Sequence, residues 1–149
     1  MEIARKVNAD GVHLGPNDMS IQEARTILGK NKIIGYSANN FEDIQCAIEE
    51  GADYIGIGPY RETQTKPNHR TPLGANGYKQ LITQYYDKYE EEKRIPFVAI
   101  GGIKIYDIEA LKKIGVENVA VSSGIQSSDY DATMMTVQYL KLLNDNVIF

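Results

Sequence analysis

The chain has 149 residues, 42 % of them hydrophobic and 24 % charged, which suffices for one domain with a real core and is ordinary for a globular protein. A formal charge of −4 argues against a general nucleic-acid binder, whose affinity comes from many lysines and arginines, but leaves room for small anions held by a local cluster. No apolar run approaches the ~18 residues that cross a bilayer, and Met1-Glu2-Ile3-Ala4-Arg5-Lys6 lacks the apolar core of a signal peptide, so a cytoplasmic location with no membrane partner is expected.

Taken in order, the apolar runs are short and evenly placed: Gly11 to Leu14, Lys32 to Tyr36, Tyr54 to Ile57, Pro96 to Ile100 and Asn118 to Val121. Near-continuous apolar runs of this length are what a parallel sheet covered on both faces needs. Between them lie helical patterns with caps. Ser20 with Glu23 forms a capping box for a helix through Ala24, Ile27 and Leu28, stopped by Gly29. Asn40 caps a helix from Phe41 to Glu50 whose apolar face is Phe41, Ile44, Ala47 and Ile48, closed by Gly51. Cys46, the single cysteine, excludes an internal disulfide and reads as buried packing on that helix. A longer helix runs from Gly74 to about Tyr89, where Tyr85, Tyr86 and Tyr89 make a half-buried face running into a solvated end. Ile105, Ile108, Leu111 and Ile114 form the next stripe, ended by Gly115, and Ser128 or Asp129 caps a last helix, roughly Tyr130 to Asn144, with Met134, Val137 and Leu140 or Lys141 at helical spacing.

The strands start about 21 residues apart, with one gap of roughly twice that, so the pattern is a repeated strand-helix unit. Such units build either an open doubly wound sheet or a (β/α)8 barrel. Gly15, Gly35, Gly58, Gly101, Gly102 and Gly124 stand at or near strand C-termini, where a barrel places its active site, and this favours the barrel. Five strands fall short of eight, and Met1 lies inside a helical pattern with Ile3, Ala4 and Val7 on one face and no cap ahead of it. The expected fold is therefore α/β, an incomplete (β/α)8 barrel of about five parallel strands in a single partial domain over 1–149, with N-terminal units missing. Its open edges would invite pairing with a second copy.

The large gap holds Ile55 to Thr71, a stretch that leaves a strand through glycines and a proline and then concentrates Thr, Lys and Arg with almost nothing apolar to bury. Loops of this length are uncommon unless they bind something or stay solvated. At the same rim arrive Asp18, Ser37, Gly101-Gly102 and Ser122-Ser123-Gly124, a set suited to a phosphorylated ligand. Backbone N–H groups at Gly102 and Ser123 would hold a phosphate, Lys66 would neutralise a second anion, and Asp18 could hold Mg²⁺, which binds through one or two carboxylates and substrate phosphates. Plainer readings stand beside these: a tight strand exit for the glycine pair, a turn for Asp18, a local cap for Ser37, and a satisfied core histidine for His13.

Gly11-Val12-His13-Leu14-Gly15 with Asp18, Gly35-Tyr36-Ser37-Ala38, Gly51-Ala52-Asp53-Tyr54-Ile55-Gly56-Ile57-Gly58-Pro59 leading to Thr63-Gln64-Thr65-Lys66, and Ala99-Ile100-Gly101-Gly102-Ile103 together resemble the thiamine-phosphate synthase and thiazole tautomerase family. The resemblance implies a (β/α)8 barrel that joins hydroxymethylpyrimidine diphosphate to thiazole phosphate and releases pyrophosphate with Mg²⁺. It implies Asp18 as a Mg²⁺ ligand, Ser37 and Lys66 on the pyrophosphate in catalytic roles, and Thr63 and Thr65 lining the substrate site. It also implies Gly102 with Ser122 and Ser123 at the thiazole phosphate. The family's Gln-x-Arg-x-Lys segment and an Asn-Asp pair have no counterpart in the sequence. A thiazole tautomerase is the nearest alternative, weakened by the Thr63, Thr65 and Lys66 loop, and a non-catalytic phosphate-binding or regulatory module is the alternative from another class.

Overall fold

The computed structural model describes residues 1–62, 70–116, 118–126 and 131–144. Its five strands are β1 (Gly11–Leu14), β2 (Ile33–Ala38), β3 (Tyr54–Ile57), β4 (Phe97–Ile100) and β5 (Asn118–Ala120). They form one parallel sheet in the order β1-β2-β3-β4-β5. The helices are α1 (Glu2–Lys6), α2 (Ile21–Leu28), α3 (Phe41–Glu49), α4 (Gly74–Lys88), α5 (Ile108–Lys113) and α6 (Ala132–Leu143), with single 3₁₀ turns at Glu91–Lys93 and Ile105–Asp107. Parallel crossovers are right-handed almost without exception, so a strand order that never reverses puts the connecting helices on one side of the sheet. A doubly wound sheet would need a reversal, and the described strands contain none.

The caps follow the local sequence. Ser20 and Glu23 exchange both capping-box bonds, and Gly29 stops α2 in a positive-φ conformation that a side chain would disfavour. Asn40 accepts from the Asp43 N–H at the start of α3. α6 begins at Ala132, later than the expected Tyr130, and Asp131 accepts from the Met134 N–H. Its buried side chains are Met135 and Tyr139, neither of them in the expected stripe, while Met134 and Leu140 are exposed. The buried face is the one that carries Tyr139, whose hydroxyl reaches the Ile103 carbonyl beyond β4.

Alternation along the strands separates two faces. Ile34, Ile55, Ile57, Phe97 and Ala99 pack against Ile21, Ala24, Ile44, Ala47, Tyr78, Ile82, Tyr85, Ile108 and Leu111 in one hydrophobic core. The opposite face carries Ile33, which is 52 % exposed, along with His13, Ser37, Tyr54, Val98 and Ile100. The expectation of a sheet buried on both faces thus holds for one face among the described residues. Cys46 is exposed rather than core, because it lies two positions from Ile44 and about 200° round the helix from it. α1 buries none of its side chains, and Ile3 and Val7 lie on its exposed surface.

Tyr78 closes the core beneath the rim. Its side chain is fully buried, and its hydroxyl donates to the Ile57 carbonyl at the end of β3 and accepts from the Ile100 N–H of β4 at 3.3 Å. Burial pushes its pKa well up.

Candidate active site at the strand C-termini

All five strands point the same way, so their C-terminal exits share one rim, and hydrogen bonds stitch neighbouring exits together. After β1, Gly15 and Asp18 form a turn in which the Asp18 N–H donates to the Gly15 carbonyl at 3.0 Å. The Gly15 N–H donates to Asp18 Oδ2 at 2.7 Å. The turn reading of Asp18 is therefore correct, and the turn also holds an exposed carboxylate at the mouth of β1. After β2, Asn39 Nδ2 donates to the carbonyls of Gly58 at 2.9 Å and Thr71 at 3.2 Å, tying the β2 exit to both ends of the long β3 loop.

The β3 exit lies on the β4 exit. Tyr60 and Arg61 N–H groups donate to the Gly101 carbonyl at 3.0 and 3.1 Å. Gly101 and Gly102 have φ of +84° and +71°, and a Cβ on Gly102 would stand 2.5 Å from Arg61 Cγ. The glycine pair is a tight strand exit, as its plainer reading held, and it also seats the start of the long loop. Arg61 then spans the exit, bonding Asp107 through both terminal nitrogens and the Gly102 carbonyl at 2.7 Å. Its guanidinium lies over the Tyr60 and Tyr106 rings at 5.1 and 5.6 Å. At the far end of the same loop, Arg70 Nη1 bonds Asp43 Oδ2 at 2.8 Å. The segment between the arginines thus leaves and returns through two ion pairs.

After β5, the Ile125 and Gln126 N–H groups donate to the Ser122 carbonyl, giving a tight turn in which Ser122 and Ser123 are exposed. Tyr139 of α6 donates to the Ile103 carbonyl at 3.4 Å, and a Cβ on Gly124 would stand 2.5 Å from the same hydroxyl, so the turn lies beside the β4 exit. Ser37 stands one residue before the end of β2, half-buried on the open face of the sheet. It does not act as a local cap. Its Oγ lies 2.8 Å from His13 Nε2, and His13 Nδ1 lies 3.0 Å from the Tyr54 hydroxyl. His13 is exposed on that face and is not a core histidine. An alternating strand that buries Val12 and Leu14 toward the helices must turn His13 the other way.

The model of the thiamine monophosphate synthase family matches residues 1–125. The chain belongs to this family. A thiamine-phosphate synthase of Flavobacterium johnsoniae is 46 % identical over 147 residues, which cover 98 % of the chain and 67 % of that protein. One from Bacteroides fragilis is 49 % identical over 125 residues, 84 % of the chain and 60 % of that protein. The solved thiamine phosphate pyrophosphorylase from Pyrococcus furiosus superposes with a TM-score of 0.78 at 33 % identity, covering 97 % of the chain and 64 % of that protein. The chain therefore spans about two-thirds of the length of these thiamine-phosphate synthases or less, and both curated relatives carry the synthase name rather than a tautomerase's.

Of the residues that the resemblance to thiamine-phosphate synthase singled out, Asp18, Ser37, Gly102, Ser122 and Ser123 all come to the one rim. Thr63, Thr65 and Lys66 lie outside the described residues. Tyr54 and Asp107 were not singled out from sequence, and for Asn39, Arg61 and Arg70, which lie in the rim segments already marked, the pairings were not foreseen. Their long-range partners are 19 to 46 residues away, and no local spacing marks such pairs.

Proposed function

We propose that the protein takes part in thiamine phosphate synthesis as a transferase, joining hydroxymethylpyrimidine diphosphate to thiazole phosphate with release of pyrophosphate. The observation that supports this reading is the placement of Asp18, Ser37, Gly102 and Ser122-Ser123 at the C-terminal end of one parallel sheet, in a chain of the thiamine monophosphate synthase family. The five units are read as part of a (β/α)8 barrel, with this end as its catalytic face.

Asp18 suits a Mg²⁺ ion bound through one carboxylate and the substrate's phosphates, since its carboxylate is exposed and already oriented by the Gly15 N–H. Bound there, Mg²⁺ would supply positive charge to a departing pyrophosphate. The Ser37 hydroxyl would donate to the diphosphate, and Lys66 would place an ammonium against the same anion. Gly102 and Ser123 would present backbone N–H groups to the thiazole phosphate, with Ser122 and Ser123 hydroxyls beside them. Thr63 and Thr65 would line the pyrimidine. No protein nucleophile is needed when separation of charge in C–O cleavage sets the barrier. The same reading gives a cytoplasmic protein acting on small phosphorylated substrates, and assembly of copies through sheet edges follows if β1 or β5 is left unpaired. No helix among the described residues is long and apolar enough to cross a membrane.

Thiamine phosphate formation by Lys66→Ala and Ser37→Ala, beside Lys79→Ala on the exposed side of α4, tests this. Loss of one preorganised donor should lower kcat and kcat/KM together by roughly 10²- to 10³-fold in the first two and leave the third at the parental rate. Parental rates in all three would overturn the assignment.

A further inference from the structure

The open face of the sheet holds a line of three polar side chains from three adjacent strands: Tyr54 of β3, His13 of β1 and Ser37 of β2. Two glycines make room for it. A Cβ at Gly35 would lie 2.1 Å from Tyr54 Cζ, and one at Gly56 would lie 2.9 Å from His13 Cε1, so each ring fills space that a side chain at the glycine would need. The rings are 5.4 Å apart and tilted by 32°. This packing brings His13 Nδ1 to 3.0 Å from the Tyr54 hydroxyl and His13 Nε2 to 2.8 Å from Ser37 Oγ.

The direction of these two bonds decides what Ser37 can do. A neutral imidazole has one N–H and one acceptor nitrogen. If Nδ1 carries the proton, Ser37 spends its own hydroxyl proton on Nε2 and can offer a ligand only an acceptor. If Nε2 carries it, Ser37 accepts from the ring and keeps its proton for a third group. A phenol is a stronger hydrogen-bond donor than an aliphatic alcohol, and the imidazole nitrogen is the best neutral acceptor in the line, so the Tyr54 O–H belongs on Nδ1. Burial pushes the Tyr54 pKa up, which keeps that phenol protonated.

We infer that Tyr54 and His13 are positioning residues that hold the imidazole in its Nε2–H form, so that the Ser37 hydroxyl proton points outward as a donor to an anionic phosphate oxygen at the rim. The inference rests on the reading of Ser37 as a diphosphate ligand. It makes Ser37 a fixed donor and not a nucleophile, since the histidine gives it a hydrogen bond and takes no proton from it.

Two measurements on the full chain test it: side-chain ¹⁵N NMR of His13, and titration with inorganic pyrophosphate in the presence of Mg²⁺. His13 should show a protonated Nε2, and Tyr54→Phe should mix the two tautomers. Tyr54→Phe should weaken pyrophosphate about fivefold, the size of one oriented neutral hydrogen bond, while Ser37→Ala should weaken it at least tenfold, the size of one to a charged group. Combining the two should be no worse than Ser37→Ala alone. His13→Gln can set an amide nitrogen where Nε2 stood and should retain most of the affinity. His13→Asn sets it where Nδ1 stood and should lose it, a contrast that a purely structural histidine would not give. A protonated Nδ1, or Tyr54→Phe at parental affinity while Ser37→Ala is weakened, overturns the relay and leaves the site assignment standing. Parental affinity in Ser37→Ala overturns both.

Discussion

Arg61 holds Asp107 with both terminal nitrogens, at 2.6 and 2.8 Å, and this fork ties the exit of β3 to the turn after β4. The Asp107 side chain is 6 % exposed and the Arg61 side chain 37 %. Burial pushes the Asp107 carboxyl up, but the Arg61 hydrogen bonds, the Lys104 N–H and the positive charges outweigh it and hold the pKa below the ordinary value. A folded pKa below the unfolded one, about 4, means that the stabilisation is fully present above that pH and is lost as the pH falls through the depressed value. Removing one partner of a buried pair costs several kcal/mol, and solvent around the guanidinium reduces this to about 2 kcal/mol for Arg61→Ala at neutral pH. Urea denaturation across pH should show the gap between parent and variant closing in acid. A gap that stays constant with pH would locate the effect elsewhere.

Tyr78→Phe removes one hydroxyl from a fully buried ring and leaves the Ile57 carbonyl and the Ile100 N–H without it. The cost should be about 1 to 3 kcal/mol, read as a lower urea midpoint at unchanged slope. An unchanged midpoint would mean that the rest of the sheet satisfies both groups unaided.

Gly35→Ala would drive a methyl into the Tyr54 ring, and overpacking of this kind costs about 1 to 3 kcal/mol. In Gly35→Ala/Tyr54→Ala the obstacle is gone, so the double variant should be more stable than the sum of the two single losses predicts. A strictly additive cycle would show that the ring can move aside freely.

Cys46 is exposed on α3, yet local packing and then the charge of Glu50, whose Oε1 lies 3.6 Å from Sγ, push its thiol pKa up. A raised pKa leaves less thiolate at neutral pH. A disulfide reagent should therefore modify Cys46 several-fold more slowly than a free cysteine, with Glu50→Gln recovering part of the rate. Reaction at the free-cysteine rate would contradict the proximity of Glu50.

Much of the architecture was legible because it is local. The apolar runs gave every strand to within two residues, and Ser20, Glu23, Gly29 and Asn40 marked helix ends through bonds spanning three or four positions. The end of the chain was less clear. Ser127-Ser128-Asp129-Tyr130-Asp131 offers several capping side chains in succession, Ser128 and Asp129 lie outside the described residues, and Asp131 is the cap of α6. Asp18, Ser37, Gly15, Gly58, Gly101 and Gly102 could be placed because each lies at or just beyond the end of a strand, whereas Gly35, expected there too, stands inside β2. His13 and Cys46 were misread because apolar neighbours suggest burial, whereas strand alternation and helix phase decide which way a side chain faces. The pairings of Arg61 with Asp107 and Arg70 with Asp43 left no trace in sequence, since two ordinary charges become partners only when their loops meet.

The uninterrupted strand order also shapes how the molecule comes apart. Each strand pairs only with its neighbours in the chain, so no contact within the sheet requires closing a loop longer than a single crossover. Coupling between units is then nearest-neighbour in kind, as in a stacked array, and cooperativity decays with distance along the sheet. β3, paired on both sides and buried at Ile55, Gly56 and Ile57, should be the last segment of the sheet to exchange its amide hydrogens. β5, three residues long with Asn118 and Ala120 exposed and one described partner, should be among the first.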